Sequence, residues 1–492
     1  MTTLADYRDE RLRKLTEIKN RGIDPYPAKS YRDTKIANIL DNFDTVNGQN
    51  ATIAGRITAI RSFGKLAFVK IRDYTGEIQI FMKQDEPREG VFGVKEIKLL
   101  DTGDFVEASG LIGRSQTGEI SLFSNYLRLL TKALRPLPGR DGFTNKEERY
   151  RRRYVDMNVN LEVRERMVRR SKFWQATRDF MNSHGFIEIN TPVLEHTTGG
   201  ADANPFVTHM DALDEDFYLR ISQELPLKRL LGAGFEKVYD IGPRFRNEGV
   251  DDEHLPEHIA FESYAAYENY EDGMELYEEM IKYVAKETWG TLQFNVGGFE
   301  INLDQKWPRI SYADLLREKF DVDVFNPDIE QLKRILREHS DASDRQALEK
   351  MMETASAGRL IDNVWKIIRK TSAGPYWLIE EPLSLSPLAK VVPDHPEVTQ
   401  RFHPVIAGTE MGNGYSELND PIDQLQRFEE QQAMRDSGDS EAQMLDMDFV
   451  EMLEYGMPPA CGWGNSERNF WLLEGVSGRE GVPFPIIKRK ED

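Results

Sequence analysis

The sequence predicts an α+β protein in which a small five-stranded barrel precedes a larger domain of helices and strands. Three observations support this fold class. The chain has 492 residues, which is long for a single hydrophobic core, so more than one domain is expected. Residues 51–130 show the short segments of strands separated by turns, whereas residues from about 163 onward alternate helical and strand patterns.

The composition indicates a globular protein and argues against several other classes. Hydrophobic residues make up 39% and charged residues 30% of the chain, a balance that disfavours disorder. No apolar run approaches the roughly 20 residues that cross a bilayer, and the N-terminus lacks the apolar core of a signal peptide, so no membrane partner is expected. Cys461 is the one cysteine, which excludes an intrachain disulfide and predicts a cytoplasmic location. The net charge, 64 − 84 = −20, disfavours nonspecific binding of nucleic acid but allows a local basic surface.

The first 49 residues are predicted to form a helical extension. Apolar residues from Leu4 to Ile18 recur three and four positions apart, which predicts an amphipathic helix, and Gly22 and Pro25 end it. Its basic residues suit either a helix that packs on its own domain or a helix that touches a polyanion. Both interpretations stay open at this point.

Residues 50–135 are predicted to form the barrel. The strand segments, in chain order, are ATIAGRITAI, LAFVKIRD, GEIQIFMK, DFVEASGLIG and GEISLFSNYLRLL. Five strands in about 80 residues favour an oligonucleotide-binding barrel, or OB-fold. Phe68 shares a strand face with Lys70 and Arg72, and an aromatic ring beside cations is how single-stranded bases are stacked and held. The competing interpretation places Phe68 in the barrel core.

A linker at residues 136–160 is expected to lead to the larger domain, residues 161–492. The linker contains prolines, glycines and the basic run Arg149, Arg151, Arg152 and Arg153, which is either a solvated face or a track for a phosphate backbone. Helical spacing from Val163 to Met181 predicts a long helix capped by Gly185, and FIEINTP then predicts a strand. Residues 308–371 are predicted to be a charged helical insertion.

A charged hairpin over residues 237–267 holds many of the polar side chains that suit chemistry. Period two places them on one face of each strand: Arg244, Arg246 and Glu248 on the first, and His258, Glu262 and Tyr264 on the second. If the two faces coincide, they form either a network of ion pairs or a pocket for a ligand with both anionic and ammonium groups.

Two further segments, YLRISQEL and TEMGNGYSELND, have the alternation of strands and add carboxylates to this surface; in the first, Arg220 and Glu224 share one face. Glu224, Glu262 and Glu417 would form an acidic cluster, which would repel and take up protons unless a cation were bound among them. Glu410 has the opposite strand parity to Glu417. Both therefore face one site only if a bulge forms at Gly412–Gly414.

These segments together closely resemble the class II lysyl-tRNA synthetases. The matching motifs, which extend the resemblance over nearly the whole chain, are LRLLTKALRPLP, RYRRRYVD, FRNEG…HLPEH…FESY, SPLAK and GNGYSELNDP. The family implies an anticodon-binding OB-fold barrel and a catalytic domain built on an antiparallel sheet flanked by helices, with a homodimer formed through residues 163–192. It implies activation of L-lysine by ATP to lysyl-adenylate, with Mg²⁺, and transfer to the 3′ end of tRNA(Lys).

The resemblance also assigns roles to individual residues. The catalytic candidates are Arg246, which resembles the arginine that holds the α-phosphate and the lysine carboxylate, and Arg468, which resembles the γ-phosphate clamp. Lysine-binding positions match Gly200, Glu224, Arg246, Glu262, Tyr264, Asn413, Tyr415 and Glu417. ATP-binding positions match Arg246, Glu248, His254, His258 and Arg468. Metal positions match Glu410 and His403, and anticodon-reading positions match Arg61, Phe68, Gln79 and Glu119.

Three positions depart from the family pattern. His258 replaces a phenylalanine that stacks on adenine, and His403 replaces one of two magnesium carboxylates, although Mg²⁺ prefers oxygen ligands. The glycine segment before Arg468, GWGNSER, is one residue short. These departures motivate an alternative, a catalytically impaired paralogue that acts as an RNA-binding or regulatory protein. A lysine ligase acting on a protein is a third possibility, but such relatives typically lack the barrel.

Overall fold

The computed structural model describes residues 3–86, 88–139, 142–201, 203–249, 254–340, 345–436 and 443–490. The chain divides into two compact units, Met1–Asn160 and Leu161–Asp492. The segment predicted as a linker, residues 136–160, therefore packs as part of the first unit. None of the described helices is long and apolar enough to cross a membrane.

The first unit combines strands with short helices. Its strands are β1 (Asn50–Phe63), β2 (Leu66–Arg72), β3 (Glu77–Lys83), β4 (Phe105–Arg114), β5 (Ile120–Phe123) and β6 (Arg128–Thr131). Its helices are α1 (Leu4–Asn20), α2 (Ile36–Asp41), α3 (Phe43–Val46), α4 (Lys146–Arg151) and α5 (Arg153–Val159).

Five of these strands close into a ring, as an OB-fold requires. β1 pairs with both β2 and β4, and the order β1–β2–β3–β5–β4 returns to β1. The segment GEISLFSNYLRLL is two strands and not the one that was predicted, because a turn follows Phe123, in which the Ser124 hydroxyl donates to the Tyr126 carbonyl at 2.9 Å. β6 then pairs with the start of β4, outside the ring.

Helix α1 is attached to the barrel unit by two of its basic residues. The buried Arg11 donates to the carbonyl oxygens of Ala133 and Thr102, at 3.0 and 2.9 Å. The Lys14 ammonium lies 2.7 Å from a carboxylate oxygen of Asp101. These two cations therefore serve the packing of the helix on its own unit.

The second unit is built on a central sheet flanked by helices. Its strands are β7 (Ile187–Glu188), β8 (Leu194–Glu195), β9 (Val207–Met210), β10 (Glu215–Leu219), β11 (Lys237–Phe245), β12 (Glu257–Ala266), β13 (Gln293–Val296), β14 (Phe299–Asn302), β15 (Arg309–Ser311), β16 (Tyr376–Ile379), β17 (Val391–Val392), β18 (His395–Thr399), β19 (Arg401–Ile406), β20 (Thr409–Glu410), β21 (Gly412–Ser416) and β22 (Ala460–Ser466). Its helices are α6 (Leu161–Ser183), α7 (Glu224–Gly232), α8 (Tyr270–Trp289), α9 (Tyr312–Phe320), α10 (Ile329–His339), α11 (Arg345–Thr354), α12 (Ala357–Arg369), α13 (Pro421–Asp436), α14 (Met447–Tyr455), α15 (Arg468–Glu474) and α16 (Gly478–Gly481).

The central sheet is mainly antiparallel, in the order β15–β16–β19–β21–β22–β12–β11–β7 with β20 paired to β19. The predicted fold class, an OB-fold barrel followed by an antiparallel sheet flanked by helices, is confirmed. The long helix ends where expected, with Gly185 at a φ of 81°. The strand predicted in FIEINTP is only two residues long, because Asn190 and Thr191 turn to bond the Asp240 carboxylate.

Candidate active site

A cleft of about 360 Å³ opens on the central sheet, a volume within the range of sites for small molecules. The predicted residues that line it are Gly200, Glu224, Arg246, Glu248, His254, His258, Glu262, Tyr264, Glu410, Asn413, Tyr415 and Arg468. Two predicted residues, His403 and Glu417, do not line the cleft and are buried. The structure therefore brings together residues that are up to 268 positions apart in the sequence, from Gly200 to Arg468.

The charged faces of the paired strands coincide, as both interpretations required, although β11 ends at Phe245, before Arg246 and Glu248. Arg244 lies directly opposite His258 in the β11–β12 register, and Asp240 lies opposite Glu262. On the other side of β12, Tyr264 pairs with Gly462. A Cβ atom added at Gly462 would lie 2.2 Å from the Tyr264 ring and 2.3 Å from a Glu417 carboxylate oxygen. A glycine is thus required here for the phenol and the carboxylate to approach each other.

Glu262 lies at the centre of a set of donors. Its carboxylate accepts hydrogen bonds from the Ser222 hydroxyl at 2.8 Å, from the Gln223 backbone N–H at 3.3 Å and from the Tyr264 hydroxyl at 3.1 Å. Burial, followed by the nearby Glu224 carboxylate, nevertheless raises the pKa of Glu262. The ionised form of Glu262 is therefore disfavoured by its burial and by the negative charge of Glu224, despite the three donors.

Glu224 begins helix α7 and does not continue a strand as predicted. No strand reaches Glu224, because β10 ends at Leu219. Pro226 suits the first turn of helix α7, since proline lacks the N–H group that would have no partner there. Arg220, expected on the face of Glu224, is instead buried and lies 2.9 Å from Asp240. Gly200, at a φ of 80°, closes against Glu224, where an added Cβ would lie 2.6 Å from the Glu224 Cβ.

Lys228 supplies a cation that sequence reasoning missed. Its ammonium is fully buried, lies 2.5 Å from the Glu224 carboxylate and also contacts Glu417. Burial alone lowers the pKa of Lys228, but the charges of Glu224 and Glu417 raise it above its ordinary value. Lys228 follows Glu224 by four residues, a spacing that places both on one helix face and that was available in the sequence.

The acidic cluster keeps an excess of negative charge beside this lysine. Glu224, Glu262 and Glu417 contribute −3, whereas Lys228 and Arg244, which pair with them, contribute +2, so the formal sum is −3 + 2 = −1. Burial raises the pKa of Glu417 to about 8, although the Lys228 charge opposes that shift. The cluster can therefore accept further positive charge, or take up a proton when it is empty.

The affinity of the cleft for a diammonium ligand should rise with pH. The raised pKa of Glu417 means that this group is partly protonated at pH 7 in the empty cleft, and a bound ammonium requires the ionised form. We expect the Kd of L-lysine to fall several-fold between pH 6.5 and 8.5, with proton release near pH 7. Calorimetry in two buffers of different ionisation enthalpy measures the proton release. A Kd of L-lysine that is constant between pH 6.5 and 8.5 contradicts the prediction.

Glu410 reaches the cleft through the bulge that its parity required. In the pairing of β19, Val405 lies opposite Glu410 whereas Phe402 lies opposite Gly414, so one extra residue is inserted between Glu410 and Gly414. The Glu410 carboxylate accepts from the Trp365 indole at 2.5 Å.

His403 lies between two carboxylates. Its Nε2 lies 3.5 Å from Glu381 and its Nδ1 lies 3.6 Å from Glu410, so the ring is held between two carboxylates. Arg401 approaches the same Glu381 carboxylate at 2.7 Å and, with His403, offsets burial and lowers the pKa of Glu381 to about 2. Within the described residues, no group of three or more potential ligands could hold a metal ion. The metal roles of His403 and Glu410 stay predictions, and of these two residues Glu410 is the one that lines the cleft.

Arg468 reaches the cleft despite the short glycine segment before it. β22 pairs regularly with β12 up to Ser466 and with β21 up to Asn465, so the missing residue leaves no irregularity in the strand. The Arg468 guanidinium lies 3.4 Å from His254 Nε2, and Arg468 lines the cleft together with Arg246 and Glu248. Glu467, beside it, is buried and forms an ion pair with Arg170.

The predicted anticodon residues lie on the barrel, in the first unit. Phe68 is half-buried while its neighbours Ala67 and Val69 are fully buried, so Phe68 lies outside the barrel core. Cross-strand pairing places Arg61, Phe68, Phe81 and Phe123 in one row. The ring centroids along this row are 5.2 and 5.3 Å apart.

The other two predicted anticodon residues have partners within the barrel. Gln79 is buried and donates to the Ser121 hydroxyl at 3.0 Å. Glu119 lies 3.0 Å from the Lys70 ammonium. Phe81 and Phe123, which extend the aromatic row, were missed, although period two from Gln79 places Phe81 off the core face.

Comparison with known families agrees with this fold. A model described as tRNA synthetases class II (D, K and N) matches residues 145–488, and a model described as OB-fold nucleic acid binding domain matches residues 51–130. The chain therefore belongs to the class II tRNA synthetases.

Individual relatives narrow the class to one branch. The chain is 41% identical to the lysine–tRNA ligase of Thermotoga maritima, over 99% of this chain and 97% of the relative. It is also 41% identical to the lysine–tRNA ligase of Carboxydothermus hydrogenoformans and 40% identical to that of Moorella thermoacetica, each over 98% of both chains. Within the class, it is a member of the lysine–tRNA ligase family.

Proposed function

We propose that the cleft activates L-lysine with ATP to form lysyl-adenylate and pyrophosphate, and then transfers the lysyl group to the 3′-terminal ribose of tRNA(Lys). The observation that carries this assignment is the cluster of three buried carboxylates, Glu224, Glu262 and Glu417, whose negative charge exceeds that of its internal cations and suits the ammonium groups of lysine. An aspartate side chain would meet this cluster with charge of the same sign, and a neutral analogue would leave buried carboxylates unpaired.

The lysine ammonium groups are proposed to lie at opposite sides of the cluster. Gly200 and Glu224 hold the α-ammonium, while Glu262 and Tyr264 hold the ε-ammonium. Glu417, which is buried beside Gly462 of the cleft lining, is proposed as the third partner of the ε-ammonium. Tyr415, whose hydroxyl donates to Glu224, forms the wall along the methylenes, with Asn413 beside it. The lysine carboxylate then points towards Arg246, at the cationic end of the cleft.

The ATP phosphates are proposed to lie at that cationic end. Arg246 binds the α-phosphate and the lysine carboxylate, so that the carboxylate oxygen is aligned to attack phosphorus as pyrophosphate leaves. Arg468 and His254 bind the distal phosphates, and Glu248 reads the adenine amino group. Both steps depend on positioning and on charge stabilisation, without a covalent enzyme intermediate.

Mg²⁺ is proposed to bind between Glu410 and the phosphates, in keeping with its preference for one or two carboxylates and phosphate oxygens. When bound, it supplies charge neutralisation for the departing pyrophosphate. His403 is not proposed as a ligand, because of its position between Glu381 and Glu410.

Amino-acid-dependent ATP–pyrophosphate exchange tests the assignment. We expect exchange with L-lysine and none with L-aspartate or L-asparagine, because only lysine neutralises the cluster. Exchange stimulated by aspartate or asparagine and not by lysine contradicts the substrate. Absence of exchange with every amino acid, together with retained tRNA binding, contradicts the enzymatic assignment and leaves an RNA-binding protein.

The barrel is proposed to bind the anticodon of tRNA(Lys). The row of Phe68, Phe81 and Phe123 offers rings on which unstacked bases can stack, and Arg61 lies at one end of the row. We propose that the protein acts in the cytoplasm, where these substrates are present and where a chain with one cysteine needs no disulfide.

A homodimer is proposed through the segment 163–192. Val168 and Ile187, both in this segment, are 45% and 52% exposed and offer apolar surface that a partner could cover. We expect Ile187→Arg to shift the protein from dimer towards monomer in analytical ultracentrifugation at micromolar concentration. Tyr455→Arg, at a side chain 86% exposed outside the segment, is the matched control and should leave the mass unchanged. A monomeric parent protein contradicts the proposal.

A further inference from the structure

Arg244 has no part in the reaction described so far, yet it lies in the cleft beside the adenine end. It faces His258 across the β11–β12 pair, and its Nε donates to His258 Nε2 at 2.8 Å. Only 16% of its side chain is exposed. Its Nη1 lies 3.7 Å from a Glu262 carboxylate oxygen, so the guanidinium lies between the imidazole and the acidic cluster.

The partners of His258 fix which of its nitrogens carries the proton. Its Nδ1 lies 3.2 Å from the Leu255 carbonyl oxygen, which can only accept, and its Nε2 faces the Arg244 Nε–H, which can only donate. The ring is therefore a neutral imidazole protonated at Nδ1. The pKa of His258 is held well below its usual range by burial and by the charges of Arg244, Arg246 and Arg468.

We propose that Arg244 is a positioning residue that holds His258 as a neutral, fixed platform for the adenine base of ATP. The inference rests on the proposed function, because it takes the adenine site from that assignment. A neutral flat ring can stack on a base, and two hydrogen bonds keep the plane of His258 in one orientation. An imidazolium at this position would instead repel three guanidiniums. The pair thereby supplies a flat stacking surface in place of a phenylalanine.

The test compares Arg244→Met, His258→Phe and the double variant. Calorimetry with a nonhydrolysable ATP analogue is the primary measurement, so the result does not depend on catalysis. At pH 6.5, Arg244→Met is expected to weaken analogue binding by about tenfold, the scale of one lost hydrogen bond to a charged group. In the His258→Phe background, Arg244→Met should change the Kd of the analogue less than twofold, because a phenylalanine ring has no nitrogen for Arg244 to hold.

The pH dependence of binding separates this role from a purely structural one. The charged groups facing His258 are Arg244, Arg246 and Arg468, and the Glu467 carboxylate accepts from the adjacent Ile259 amide at 3.3 Å. Removal of the Arg244 charge takes away one of the effects that keep His258 neutral, so the pKa of His258 should rise although burial, Arg246 and Arg468 still lower it. The loss of affinity in Arg244→Met should then be larger at pH 6.5 than at pH 8.5, and Arg244→Lys, which keeps the charge, should restore most of the affinity.

Imidazole ¹⁵N spectra provide a readout that needs no variant of Arg244 to fold. The wild-type spectrum should contain an Nδ1-protonated neutral histidine at pH 6.5 that disappears in His258→Phe. A charged or Nε2-protonated His258, or an equal loss of analogue affinity in both backgrounds, overturns the inference. Failure of lysine-dependent exchange in the wild type would overturn the proposed function alone, because analogue binding and the ¹⁵N spectra are measured without it.

Discussion

Arg246→Ala is expected to reduce lysine-dependent ATP–pyrophosphate exchange by about 10²–10³-fold, the cost of removing one preorganised donor from a developing anion. The reason is the proposed double contact of this guanidinium with the α-phosphate and the lysine carboxylate, which a methyl group cannot replace. Since the interaction strengthens as charge develops on the α-phosphate, the loss should fall mainly on kcat, with a smaller rise in KM for ATP and lysine.

Two variants control this experiment. Arg246→Lys keeps a charge but not the planar fork, so it should recover part of the activity and leave a substantial loss. Arg337→Ala removes an exposed arginine that pairs with Glu349 at 2.8 Å in the helical insertion, and it should leave exchange unchanged. An Arg246→Ala protein that exchanges within threefold of the wild type removes the role assigned to this residue.

The fold was largely predictable because its signals are local or periodic. Alternation in the barrel strands and the spacing of the α6 helix each reflect burial of one face, which the sequence records directly. The division of the last barrel segment into β5 and β6 was not predictable from alternation, because it depends on a turn in which Ser124 bonds Tyr126. The length of β7 similarly depends on Asp240, which is 49 or 50 positions from its partners.

The candidate site was predictable in membership but less so in electrostatics. Strand parity brought Arg244, His258 and Glu262 to one face, and it stated correctly that Glu410 needed a bulge. It did not show that Lys228 occupies the acidic cluster, since a lysine at this spacing more often marks a solvated helix face. It also gave no role to Arg244, because a bond to His258 depends on the cross-strand register.

Lys228→Met is expected to destabilise the second unit by about 3–5 kcal/mol, the usual cost of removing one partner from a buried ion pair. The ammonium is fully buried between Glu224 and Glu417, and a thioether leaves both carboxylates without their internal cation. Urea unfolding followed by circular dichroism measures the loss. Arg229→Met, on the same helix but 37% exposed and paired with Asp446, is the matched control and should cost about 1 kcal/mol or less.

The pH dependence of the Lys228→Met loss identifies its cause. Without the cation, the folded-state pKa of Glu417, which is already raised to about 8, rises further above its unfolded value. A carboxyl with a raised folded pKa destabilises the protein increasingly as pH rises through the interval between the two values, so the loss should be smaller at pH 6 than at pH 8.5. A second change, Glu417→Gln, should recover part of the stability of Lys228→Met but not lysine-dependent exchange, because Glu417 is also proposed to hold the ε-ammonium. A loss that is independent of pH and unaffected by Glu417→Gln would mean that Lys228 stabilises the helix by packing alone.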